Sequence, residues 1–241
     1  YKYCMRICLL GLPRCGSQYI VELIRQAVGN DMFNCQEPFV FGNSDLHSIE
    51  NLNGKMIQSK HKNFASLADQ CSYVINTINS VDPTQSLILR LFLDENIEPF
   101  LPTISEELKK NNFQFISITR LNVENQLLSF AIASTTNRWN TEWNGSYIDG
   151  DQYKIHELWH MNWLYANLIK YDDRINSLNI EYKTIRYEHT TVDLSEILQI
   201  PITPRPMKLK KQVVGDPYNM IENADEVREH IKRLLNDATI H

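Results

Sequence analysis

The chain has 241 residues and a mass of 28.2 kDa, room for one large domain or two small ones and for a sizeable core. At 43% hydrophobic and 22% charged it is an ordinary globular sequence, which excludes a disordered or fibrous protein. Its 24 Lys and Arg against 29 Asp and Glu leave a net charge of −5, without the basic excess that duplex binding needs. Nucleic acid is therefore excluded as the main partner; local anion pockets are not.

No apolar run approaches the roughly 18–20 residues of a membrane span, and the opening Tyr1-Lys2-Tyr3 has no signal-peptide layout. Cys4, Cys8, Cys15, Cys35 and Cys71 are an odd set without a C-x-x-C pair. They read as reduced thiols of a cytoplasmic protein, neither a disulfide frame nor a zinc knuckle.

In chain order, residues 5–10 (MRICLL) form a nearly continuous apolar run, as expected of a strand buried on both faces. A glycine-containing break follows, and from Ser17 a helical stripe of Ile20, Leu23, Ile24, Ala27 and Val28 runs to Gly29. Helix is expected over 64–78, a second buried strand over 87–92, helix over 102–110, a third strand over 115–119 and helix over 123–133. Residues 135–150 (TTNRWNTEWNGSYIDG) lack periodicity and form a candidate acceptor-site loop, with Trp139, Trp143 and Tyr147 available for stacking. A long helix is expected over 155–171, a strand over 183–187, and a closing helix behind Asn223-Ala224-Asp225-Glu226, a variant of the capping box. No linker or repeat divides the chain, so a single domain over 1–241 is expected. Alternating strands and helices predict an α/β fold, a central parallel sheet flanked by helices, with ligands at the carboxyl ends of the strands.

The loop Gly11-Leu12-Pro13-Arg14-Cys15-Gly16-Ser17-Gln18-Tyr19 joins the first strand to the first helix. Such a loop exposes backbone N–H groups at the positive end of a helix dipole, an anion site to which Arg14 adds charge and Ser17 a hydroxyl. The nucleotide pattern G-x-x-x-x-G-K-[ST] is half present. Gly11 and Gly16 have its spacing, but Ser17 and Gln18 replace the Lys and the metal-binding hydroxyl, which weakens a kinase or NTPase reading.

This loop resembles the 5′-phosphosulfate loop of the sulfotransferase superfamily, which uses 3′-phosphoadenosine 5′-phosphosulfate (PAPS), in the version where Arg replaces the commoner Lys. The resemblance implies a P-loop-NTPase-like three-layer sandwich and PAPS as co-substrate without a metal. It places Pro13, Arg14, Cys15, Gly16, Ser17 and Gln18 around the phosphosulfate, with Arg14 also stabilising the leaving oxygen. Arg120, at a strand end, and Ser129, on the following helix, resemble the 3′-phosphate motif; their spacing of nine and the R-x-x-x-x-x-Q-x-x-S form are closer to the bacterial trehalose-type enzymes. Arg186-Tyr187-Glu188 resembles the segment whose Tyr lies near the adenine, and Lys208-Leu209-Lys210-Lys211-Gln212 the basic loop over the 3′-phosphate, through Lys210 and Lys211.

Sulfuryl transfer needs a base for the attacking hydroxyl and positive charge for the leaving oxygen. Arg90-Leu91-Phe92 stands where cytosolic members carry Lys-x-His; Arg90 keeps the cationic role, but Phe92 accepts no proton. Glu37, in Glu37-Pro38-Phe39, resembles the catalytic carboxylate of the trehalose-type enzymes and is the expected base, with His61 as runner-up. The expected reaction moves a sulfuryl group from PAPS to a hydroxyl or amine of a small-molecule or carbohydrate acceptor. Two rivals remain: a non-catalytic 3′-phosphoadenosine-nucleotide-binding protein of the same fold, and a zinc metallopeptidase. The second rests on His156-Glu157-Leu158-Trp159-His160, an H-E-x-x-H on an expected helix, although Trp163 and Ala166 stand where longer zinc motifs need Gly and His.

Overall fold

The structure, a computed structural model, describes residues 4–29, 32–40, 64–137, 152–204 and 216–237. In chain order its elements are β1 (Arg6–Gly11), α1 (Ser17–Val28), β2 (Phe33–Asn34), α2 (Leu67–Asn79), β3 (Leu87–Phe92), α3 (Leu101–Lys110), β4 (Gln114–Thr119), α4 (Val123–Thr136), α5 (Trp159–Ile169), α6 (Tyr171–Ser177), β5 (Tyr182–Arg186), α7 (Thr190–Leu198) and α8 (Ala224–Asp237). They fall into two units, Tyr1–Thr119 with Lys170–Pro204, and Arg120–Ile169 with Arg205–His241. Because the second unit is assembled from two separated stretches, no single linker marks it in the sequence.

The first unit holds a five-stranded sheet, order β2-β3-β1-β4-β5, with every neighbouring pair parallel. The expected α/β fold, a parallel sheet flanked by helices, is the observed one. β1 lies in the middle, Cys8 facing Leu89 on one side and Phe115 on the other, and all six of its residues are buried. A strand with neighbours on both sides and helices over its faces has no solvent side, hence an apolar run in place of an alternation. Its carboxyl end, and the loop after it, consequently open at the centre of the sheet's carboxyl edge. α1 buries Ile20, Val21, Leu23 and Ile24 against this core and stops at Gly29, whose N–H reaches the Arg25 carbonyl. At the amino end, buried Arg6 donates to the carbonyls of Asp82 (2.8 Å), Val81 and Gln85 and to Asn111, tying β1 to the turn before β3.

In the second unit, α4 and α5 meet through the stacked rings of Phe130 and Trp163, and α8 reaches α5 through His230 and Asn162. The helix expected over 155–171 is a correction. Tyr153 sits in a β-bridge with Ile221, and Asn223 grips both the N–H (3.0 Å) and the carbonyl (2.9 Å) of Ile155. Those backbone groups are spent on a side chain, so helix begins only at Trp159, and it breaks again before Tyr171. Asn223 accordingly does not close the expected box on its own helix; its amide also donates to Glu226 (2.9 Å). The two-residue β2 and α7 lie beyond the expected elements. α7 buries only Thr190, Asp193 and Leu194, too little apolar periodicity to be read. Among the described residues no helix is long and apolar enough to cross a membrane.

Candidate functional site

The β1–α1 loop is built on two left-handed residues. The Cys15 N–H donates to the Leu12 carbonyl (3.2 Å), closing a turn with Pro13 second and Arg14 third. Arg14 has φ 64°, the third-position conformation of a type II turn, where glycine is favoured and a side chain costs about 1 kcal/mol. Gly16, the N-cap of α1, has φ 90°, and a Cβ there would lie 2.1 Å from the Tyr187 ring. That ring also meets Tyr19 edge-on at 6.3 Å. A Cβ on Gly11 would stand 2.7 Å from the Cys15 sulfur, which is folded in beneath the loop. Burial pushes the Cys15 thiol up, against hydrogen bonds from Ser17 and Leu12 and the charge of Arg90. Gly16 makes no side-chain cap to α1 and no acid stands in the helix's first turn, so the first turn does not itself neutralise the positive end of the dipole.

Beside the loop, the chain leaving β2 wraps around Arg90 of β3. Gln36, at φ 57°, accepts the Arg90 backbone N–H on its carbonyl (2.8 Å) and a guanidinium N–H on its side-chain oxygen. Glu37 then pairs with the other terminal nitrogen of Arg90 at 2.9 Å. Arg90 is 7% exposed, and its Nε has no hydrogen-bond partner among the described residues. The left-handed turn at Gln36 aims both residues at one guanidinium, and removing one partner of such a buried pair costs about 3 kcal/mol. Across the β1–β3 pairing Arg90 faces Leu9 and Phe92 faces Gly11, so the Arg90–Glu37 pair and the loop are neighbours on the sheet's carboxyl edge.

A cavity of about 620 Å³ opens next to this pair, with Arg90 and Asp94 in a wall otherwise made largely by Phe39, Leu67, Phe92 and Phe100. Every residue of that wall belongs to the first unit. On the sheet's far side of the loop, Arg186 at the end of β5 makes a two-pronged ion pair with Asp193 (2.6 and 3.0 Å), which also accepts the Arg186 backbone N–H. These bonds hold the Asp193 carboxyl below the usual carboxylate range.

The first unit therefore gathers Pro13, Arg14, Cys15, Gly16, Ser17, Gln18, Glu37, Arg90 and Tyr187 along the carboxyl edge of its sheet. Arg120 is the residue after β4 and belongs, with Ser129 on α4, to the second unit. Lys210, Lys211, His61 and residues 138–150 of the candidate acceptor loop lie outside the described residues. The H-E-x-x-H reading loses its premise: His156 and Glu157 precede α5, which starts at Trp159, so the two histidines do not stand one turn apart on a helix face. His160 instead stacks on Trp159, with its Nδ1 3.3 Å from the Glu157 carbonyl. Two site residues escaped the sequence reading, Gln36 and Asp94. Asp94 had a signal, the alternation Arg90, Phe92, Asp94; the left-handed Gln36 had none.

No protein-family model matches the chain, and no curated protein matches its sequence. Among the solved structures similar to the chain are two of low identity. A shikimate kinase from Acinetobacter baumannii in complex with shikimate is 15% identical, with a TM-score of 0.45 over 82% of this chain and 95% of that one. A mouse sulfotransferase complexed with PAP is 12% identical, with a TM-score of 0.46 over 97% of this chain and 84% of that one.

Proposed function

We propose that this protein is a PAPS-dependent sulfotransferase that moves a sulfuryl group to a hydroxyl of a small acceptor, with Glu37 as base. The observation that carries the reading is the ion pair of Glu37 with buried Arg90 (2.9 Å), set beside a strand–helix loop whose Arg14 is held in a left-handed turn. A carboxylate paired with a guanidinium, near a loop that carries a second arginine and an uncapped helix start, can accept a proton at one point while positive groups stabilise growing negative charge at another.

Arg14 and the loop N–H groups hold the phosphosulfate end, with Pro13, Cys15, Gly16, Ser17 and Gln18 shaping the cradle. The absence of a side chain at Gly16 lets the Tyr187 ring pack directly on the loop backbone. In the transfer, the acceptor oxygen bonds to sulfur as the bond from sulfur to the 5′-phosphate oxygen breaks. The hydroxyl proton goes to Glu37, and the charge on the departing oxygen is met by Arg14 and Arg90. Arg120, Ser129, Lys210 and Lys211 take the 3′-phosphate in this reading, and Tyr187, packed on Gly16, borders the nucleotide. All five cysteines are free thiols, in keeping with the cytoplasmic location we assign.

The test is Glu37→Gln, which keeps a hydrogen-bond acceptor for Arg90 but no basic carboxylate. Sulfuryl transfer from radiolabelled PAPS is expected to fall by about a hundredfold or more, with the affinity for 3′,5′-adenosine bisphosphate unchanged. Transfer at the wild-type rate removes Glu37 from the mechanism. Bisphosphate binding without transfer by the wild type, across hydroxyl acceptors, favours the non-catalytic nucleotide-binding reading instead.

A further inference from the structure

Two charged side chains stand in the cavity wall, Arg90, which is paired with Glu37, and Asp94. Buried Arg90 keeps an Nε without a partner among the described residues. Asp94 spends Oδ1 on the N–H groups of Asn96 (2.9 Å) and Ile97 (3.3 Å), at the start of the turn leading to α3. Its other carboxylate oxygen receives no hydrogen bond from the described residues. Arg174, whose charge reaches Asp94, is committed to Glu98 (2.7 Å) and to the Leu93 carbonyl (3.1 Å). Burial pushes the Asp94 carboxyl up despite these favourable neighbours, the mark of a carboxylate short of compensation.

Among the described residues the rest of the wall is mainly apolar, its other polar members being Asn96 and Ser66, whose hydroxyl is held by Asp69 (2.8 Å). Residues 90, 92 and 94 follow strand alternation onto one side, whereas Leu91 and Leu93 are fully buried on the other. At roughly 3.3 Å per residue the backbones of Arg90 and Asp94 stand about 13 Å apart, with Phe92 midway; the long Arg90 side chain shortens the span a ligand must cover. Phe39, Leu67, Ile97 and Phe100 complete a slot suited to a flat ring. A sugar would set most of its hydroxyls against these apolar side chains, with few partners among the polar ones.

We infer that the acceptor is an aromatic hydroxy compound bearing a protonated amine, its hydroxyl at the Arg90–Glu37 end, its ring in the apolar slot and its ammonium on Asp94. The identity of the reacting group rests on the transfer reading above; the charge preference of the cavity does not.

Binding and transfer are measured separately to keep the two apart. Calorimetry without nucleotide compares tyramine, the neutral 4-ethylphenol and the anionic 3-(4-hydroxyphenyl)propionate. Tyramine is expected to bind about tenfold tighter than 4-ethylphenol, a charge-assisted hydrogen bond's worth, and the acid weakest. Asp94→Asn, which keeps an oxygen for the two N–H groups, is expected to equalise tyramine and 4-ethylphenol without weakening the latter. Equal binding of the two phenols by the wild type, or a tyramine preference that survives Asp94→Asn, overturns the inference. The wild-type comparison decides even if the variant does not fold. Asp94-dependent tyramine binding without sulfuryl transfer from PAPS leaves the inference standing and defeats the transferase reading; transfer to both phenols without preference does the reverse.

Discussion

Replacing Gly16 with Ala puts a methyl carbon 2.1 Å from the Tyr187 ring, at a backbone φ of 90°. Ordinary carbon contact is about 3.5–4 Å, so the ring must retreat by roughly 1.5 Å. That movement breaks the edge-on contact with Tyr19 at 6.3 Å, worth about 1 kcal/mol. The left-handed backbone adds about 1 kcal/mol more, and overpacking about another 1. The substitution is therefore expected to cost about 3 kcal/mol, a fall in Tm of about 6–12 °C for a chain of this size. In a Tyr187→Ala background the ring is gone and only the backbone cost of about 1 kcal/mol remains, leaving a coupling of about 2 kcal/mol between the two positions. Urea midpoints of the wild type, both single variants and the double variant give this number directly. Equal destabilisation by Gly16→Ala in both backgrounds refutes the packing of Tyr187 on the loop.

Two further outcomes follow from the scaffold. Asp193 is held below its ordinary range chiefly by the hydrogen bonds of Arg186, so its contribution is full above the unfolded carboxylate value near 4 and disappears as pH falls through the lower native value. Asp193→Asn is thus expected to be less stable than the wild type at pH 7, with the gap closing in acid; a gap independent of pH contradicts the pairing. Arg6→Met strips donors from the carbonyls of Val81, Asp82 and Gln85 at the amino end of the sheet, and is expected to cost about 3 kcal/mol in urea denaturation. A loss within about 0.5 kcal/mol would show that water replaces the guanidinium there.

The parts legible in the sequence were those governed by local pattern. The apolar runs of β1, β3 and β4 need no partner to be read, because burial on both faces erases the alternation that an exposed strand would show. The helix expected over 155–171 is present but starts late, at Trp159, for a reason 68 residues away, since Asn223 takes the backbone bonds of Ile155 that a helix would use. At the site, the glycine spacing showed the loop, and the family resemblance pointed to Glu37 and Arg90 as separate candidates. Their contact came from Gln36, whose left-handed turn has no sequence signature in a glutamine. The need for glycine at position 16 is likewise tertiary, imposed by a tyrosine from the end of β5.

The proposed function requires the protein to bind an adenylate carrying both a 3′-phosphate and a 5′-anion. Thermal unfolding with 3′,5′-adenosine bisphosphate, 5′-AMP and magnesium ATP tests it most directly. At a hundredfold excess over its Kd the bisphosphate is expected to add about 2.7 kcal/mol, a rise in Tm of roughly 5–11 °C, with AMP and ATP well below it. An equal or larger shift with magnesium ATP, or none with the bisphosphate, contradicts the account.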